Sequence, residues 1–228
     1  MTPRVFLLSP ASTGGERARI IFREQARFDL ALQLRTPEGA RLGDVFSFLS
    51  GLYFRGKLTY ARVFARPPAG APGVLIITPS EGLRSPDILV TLERLLGYSK
   101  VPIDLSDRRY KAPLVRDAKA LFQLVGPDCD VVLLGSVATG KYVEPLTEVF
   151  GSRLLFPTDF VGRGDMSRGG LLLRAAADAR ELSYGPIAGA ILHGSRPQKL
   201  APRPGILRRA LGAVQGPRGR PPRGKQAR

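Results

Sequence analysis

Four short runs of consecutive apolar residues limit what this chain can fold into. They are Val5 to Leu8 (VFLL), closed by Ser9 and Pro10; Gly73 to Thr78 (GVLIIT), closed by Pro79; Asp130 to Leu134 (DVVLL), closed by Gly135; and Leu154 to Phe156 (LLF), closed by Pro157. Each is too short for a helix and too continuously apolar for a half-exposed strand, which is the pattern of a strand buried on both faces. The stretches between them carry helical periodicity. Leu42 to Phe64 places Val45, Phe46, Leu49, Leu52, Tyr53 and Leu58 at helical spacing, with Gly51 and Gly56 in its interior. Ser85, Pro86 and Asp87 read as a helix start leading into ILVTLERLLGY. Ala112 to Val125, Tyr142 to Phe150 and Met166 to Ala177 complete the set. Alternating buried strands and helices predict an α/β class protein: a single domain over 1–199 with a mostly parallel sheet flanked by helices.

In an open parallel sheet every strand-to-helix loop emerges at one edge, the edge that binds ligands. The four loops are Ser9 to Glu16 (SPASTGGE), Thr78 to Leu83 (TPSEGL), Gly135 to Lys141 (GSVATGK) and Pro157 to Gly170 (PTDFVGRGDMSRGG). All are rich in Gly, Ser and Thr, whose small side chains let backbone N–H groups approach an anion next to a helix N-terminus. The candidate ligand-binding residues are therefore Ser12, Thr13 and Gly14 in the first loop, Gly135, Ser136, Thr139 and Lys141 in the third, and Arg163 and Arg168 in the fourth. The competing reading is that Gly, Pro and Ser simply make turns.

The third loop has the G-x-x-x-x-G-K spacing of a nucleoside-triphosphatase phosphate loop, but Tyr142 follows the lysine where that loop uses a Ser or Thr hydroxyl to hold Mg²⁺. Pro145 also argues against a regular helix starting by Gly140. The expectation is contact with a phosphate or other polar ligand through Ser136, Thr139 and Lys141, without triphosphate hydrolysis. In the fourth loop Arg163 and Arg168 can fork onto phosphate or carboxylate. Asp165 and Asp159 are the candidate catalytic carboxylates, as general base or metal ligand, and Asp165 reads equally as the N-cap of the following helix.

Other residues have plainer readings. The Arg-Gly-Asp tripeptide at Arg163 to Asp165 is a coincidence, Asp128 and Asp130 belong to a solvated turn, and Asp104, Asp107, Arg108 and Arg109 cap and neutralise a helix start. His193 with Ser195 lies at the boundary of the tail. Tyr53, Lys57 and Tyr60 share a helix face, read as core packing with a snorkelling lysine.

One cysteine, Cys129, and one histidine, His193, exclude an internal disulfide and a Cys/His zinc cluster. No metal site is assigned, and no motif specifies a cofactor. No apolar run has the length of a signal-peptide core or a membrane span, so the expectation is a cytoplasmic protein without membrane insertion. The formal charge of +16 is uneven: Arg196 to Arg228 holds ten Lys and Arg and no acidic residue, leaving 25 basic against 19 acidic residues elsewhere. Residues 200–228 read as a disordered, basic, Pro/Gly/Arg-rich tail with ILRRALGAV as at most a short transient helix, either a solvated extension or a segment that binds phosphate backbones or anionic surfaces weakly by charge.

The segments LLSPASTGGERA, GDVFSFLSGLYFRGKLTYA, ITPSEGL and LLGSVATGKYVEPLTEVFGSRLLFPTDFVGRGDMSRGGLLLR resemble a family of uncharacterised bacterial proteins over nearly the whole body of the chain. More distantly, a strand ending in SPA followed by a TPSEGL-type loop is similar to the α/β domain of the peroxide-stress proteins and to a domain of archaeosine synthases. The resemblance implies a link to nucleic acids or modified nucleosides and assigns no catalytic residue here. Three functions are carried forward. The first is binding of a nucleotide, nucleoside or nucleic-acid phosphate at the shared loop edge. The second is a transferase or hydrolase acting on such a ligand, and the third is a scaffold acting through the basic tail.

Overall fold

The computed structural model describes residues 2–137, 140–190, 194–195, 197–198 and 200–201. Thr139, His193 and residues 202–228 of the tail lie outside the described residues. The fold is α/β. Strands β1 (Arg4–Leu8), β3 (Val74–Thr78), β6 (Asp130–Leu134) and β7 (Leu154–Pro157) run parallel in the spatial order β3-β1-β6-β7. Antiparallel β4 (Gly82–Arg84) and β8 (Tyr184–Pro186) close the two edges, and β2 (Ala40–Arg41) pairs with β5 (Leu89–Val90) in a separate two-stranded ribbon.

The continuous apolar runs are buried on both faces because strand side chains alternate. Phe6, Leu8, Ile76, Val132 and Leu134 point to one face. They pack there with residues of α1 (Glu16–Phe22), α2 (Asp29–Gln33), α3 (Leu42–Ser50), α4 (Leu52–Phe64), α5 (Leu92–Ser99) and α8 (Asp165–Ala177). Val5, Leu7, Leu75, Ile77, Val131 and Leu133 point the other way, against α6 (Arg108–Val125) and α7 (Gly140–Phe150).

Local chemistry differs from the sequence expectation at four places. The long helix over 42–64 is two helices, broken at Gly51, whose φ of +61° is a conformation that side-chain-bearing residues rarely adopt. No helix starts at Ser85. Leu89 and Val90 pair in the ribbon first, and α5 begins after Thr91, whose hydroxyl accepts from the Arg94 amide at 3.3 Å. The TPSEGL loop leads into the antiparallel β4 and so is a hairpin turn, in which the Thr78 hydroxyl donates to the Gly82 carbonyl at 2.9 Å.

Finally, α7 does begin at Gly140 and carries Pro145 inside it. Proline supplies no N–H to the carbonyl four residues earlier, that of Lys141. The Tyr110 hydroxyl of α6 donates to that carbonyl instead, at 2.8 Å, which removes the objection raised by the proline.

Candidate functional site

The chain leaves β1 toward β3 on one side and leaves β6 toward β7 on the other, so the topological switch point falls between the carboxyl ends of β1 and β6, where a crevice must open. A cavity of about 470 Å³ lies there. The loop after β1 lines it from Ser9 to Gly14, the loop after β6 contributes Ser136, and the first turn of α7 contributes Lys141 and Tyr142. Tyr53 and Lys57 enter from α4, Asp165 from the first turn of α8, Pro79 from just after β3, Ser99 from the end of α5, and Val101, Pro102 and Ile103 from the segment that follows it. The two strand ends are held together by the Ser9 amide, which donates to the Leu134 carbonyl at 3.1 Å. A Cβ on Gly135 would stand 2.7 Å from that of Ser9, so glycine is what lets the loops meet.

Lys57 is the dominant feature of this cavity. It is 1% exposed, and its ammonium does not snorkel to solvent as the sequence suggested. Its Nζ donates to the Ser9 carbonyl at 2.6 Å and to Ser9 Oγ at 2.8 Å, and lies 4.7 Å and 4.8 Å from the ring centroids of Tyr53 and Phe54. Burial drives its pKa down from 10.5 to about 7, against the opposing pull of the Asp165 charge. Helix α4 brings it there by lying under α8 at unusually close range. A Cβ on Gly56 would be 2.7 Å from the Gly169 carbonyl, and one on Gly169 would be 2.8 Å from the Leu52 carbonyl. The same crossing carries the start of α8, with Asp165, over the Tyr53–Lys57 face.

The hydroxyl of Tyr53, a residue 6% exposed, is buried and has the Arg168 guanidinium as its polar neighbour. Burial raises its pKa, against the nearby Arg168 charge. Burial likewise raises Tyr142, with the Asp165 charge adding to it.

The cavity thus gathers Ser12, Thr13, Gly14, Ser136, Lys141 and Asp165 of the sequence candidates, with Gly135 packed behind it on Ser9. It does not gather Arg163, Arg168 or Asp159, and Thr139 lies outside the described residues. Arg168 is buried, with Nε and Nη2 donating to the Phe160 carbonyl at 3.2 and 3.1 Å, and it fastens the preceding loop to α8. Arg163 donates to the Asp159 carbonyl at 3.0 Å and to Ser167 Oγ at 3.3 Å. Asp159 lines a separate depression with Arg174, Arg180 and Glu181. Asp165 is the first residue of α8 and not its cap, which is Gly164, and it faces Arg168 at 3.8 Å. Among the described residues no three metal-ligating side chains cluster.

Ser9, Tyr53 and Lys57 were not read from the sequence as site residues. The signal for Lys57 was present: it sits inside an apolar stripe, four residues after Tyr53 and three before Tyr60. No family model, curated protein or solved structure matches the chain.

Proposed function

We propose that the switch-point cavity binds a small phosphate-bearing ligand of the nucleotide or nucleoside class. The observation that carries this reading is the convergence of two Gly/Ser loops at one polar cavity whose charged lining is Lys57, Lys141 and Asp165. Its volume of about 470 Å³ lies within the range of small-molecule sites. Lys141, with its exposed side chain at the start of α7, supplies positive charge beside a helix N-terminus, where an anion is favoured. Ser12, Thr13 and Ser136 supply hydroxyls that hydrogen-bond sugar or phosphate oxygens.

The test is a thermal-shift screen of the full chain against nucleotides and nucleosides, with and without Mg²⁺. A ligand at about 100 times its Kd stabilises by roughly 2.7 kcal/mol, and Lys141→Ala removes the shift if the phosphate lies at α7. Absence of any shift across the screen refutes the reading.

A further inference from the structure

Binding alone gives no role to the most unusual contact in the cavity, a serine hydroxyl 2.8 Å from a fully buried lysine amine. A lysine used only to attract an anion is better placed in the open, as Lys141 is. Lys57 is instead enclosed by the rings of Tyr53 and Phe54, and its orientation is fixed by the Ser9 carbonyl at 2.6 Å.

We propose that Ser9 and Lys57 form a nucleophile–base pair that cleaves an ester or amide bond to an acyl group on the ligand held in this cavity. The proposal rests on the reading of the cavity as a ligand site and adds the reaction.

Two observations support it. Ser9 is the first residue beyond β1, at the end of a central strand and at the switch point, so its main chain is fixed by the sheet, and the residue lines the cavity. The amine is within reach of the hydroxyl without any movement, as a nucleophile and its base must be.

The step balances. Neutral Lys57 accepts the Ser9 hydroxyl proton as Oγ bonds to the carbonyl carbon. The bond to the leaving alcohol or amine then breaks, and the leaving group takes the proton from Lys57. Water, deprotonated by Lys57, attacks the acyl-serine, and the proton returns to Oγ as the acid departs.

The amine must be neutral to act, and its lowered pKa gives it a substantial neutral fraction near pH 7. The charged and titratable groups around it are Asp165 and Arg168 from α8, Lys141 and Tyr142 from α7, and Tyr53 from its own helix. Of these, Asp165 favours the protonated amine.

The experiment uses a fluorophosphonate, which loses fluoride as its phosphorus bonds to an activated serine oxygen. The full chain is incubated with it from pH 6 to 9 and the modified peptide is identified by mass spectrometry. The expected result is a single adduct on Ser9, absent in Ser9→Ala, formed about a hundredfold more slowly in Lys57→Met. In the wild-type protein its rate should rise about tenfold per pH unit below pH 7 and level off above. This profile keeps the proposal testable if Lys57→Met fails to fold. No adduct on Ser9, or a rate on Ser9 that does not change with pH, overturns the pair. Nucleotide shifts without an adduct leave the binding reading standing and refute the reaction. An adduct without nucleotide shifts supports the pair and refutes the ligand class.

Discussion

Among single residues, Lys57 gives the protein a pH response between neutral and alkaline pH. An ammonium in an apolar enclosure destabilises the folded state, whereas the unfolded chain hydrates it. The folded pKa of about 7 lies below the ordinary 10.5, so the penalty is present in full below pH 7. It diminishes as pH rises toward 10.5, because the folded protein releases the proton while the unfolded chain still holds it. Lys57→Met should therefore melt higher than the wild type at pH 6, by an increment on the order of 1–4 kcal/mol. Thermal unfolding of both proteins at intervals from pH 6 to 10 measures that gap. It should narrow steadily with pH, and a constant gap would show that the amine is not desolvated in the folded state.

At the scale of the element, two contacts place the helices that build the site. The α4–α8 crossing depends on Gly56 and Gly169, each with the other helix's main chain where a Cβ would stand. Main chain cannot rotate aside, so Gly56→Ala and Gly169→Ala should each destabilise by about 1–3 kcal/mol, read from chemical denaturation. The same substitutions should weaken any cavity ligand, since they separate Asp165 from Lys57.

The other contact is the Tyr110 hydroxyl on the Lys141 carbonyl. Tyr110→Phe leaves that carbonyl without its donor and should destabilise by roughly 1–2 kcal/mol. In a Pro145→Ala background the new N–H can reach the same carbonyl, and the effect of Tyr110→Phe should shrink. A double-mutant cycle should give a coupling above about 0.5 kcal/mol, and additivity would mean the hydroxyl does not substitute for the helix bond.

Across the whole molecule, the amino ends of β1 and β6 carry a charge cluster at the opposite edge of the sheet from the cavity. Arg4 pairs with Asp130 at 2.9 Å and with Glu181 at 2.5 Å, Arg66 pairs with Glu181 at 2.9 Å, and the Tyr184 hydroxyl donates to Glu181 at 3.0 Å. This ties β1, β6 and the segment entering β8 together. Burial raises the Glu181 pKa, but the bonds from Arg66 and Arg4 outweigh it and hold the carboxyl below its ordinary value. Its stabilisation is present above the ordinary carboxylate range and is lost as pH falls through the lowered pKa. The Tm of Glu181→Gln should lie below that of the wild type at pH 7 and converge with it in acid.

The uneven charge is also a property of the whole chain. Removing residues 200–228 takes away eight Lys and Arg and no acid. The truncated chain should lose salt-sensitive retention on DNA while keeping any nucleotide-induced thermal shift. Loss of both would move the function to the tail.

The α/β class, the four parallel strands and the edge at which their loops emerge are legible in the sequence, because strands buried on both faces must be apolar at every position and such runs are visible locally. The sequence marked Ser12, Lys141 and Asp165 for the same reason: they lie in short loops next to strand ends and helix starts, whose location follows from topology. Contacts between distant segments settle that Lys57 is enclosed rather than exposed, that Ser9 holds its amine, and that Arg168 fastens a loop instead of facing the cavity. Those outcomes depend on how closely α4 approaches β1 and α8, a distance set by Gly56 against Gly169 across more than a hundred residues of chain. A lysine on an apolar helix face has the same local sequence whether its head reaches water or a serine carbonyl; the packing of the neighbouring helix settles which.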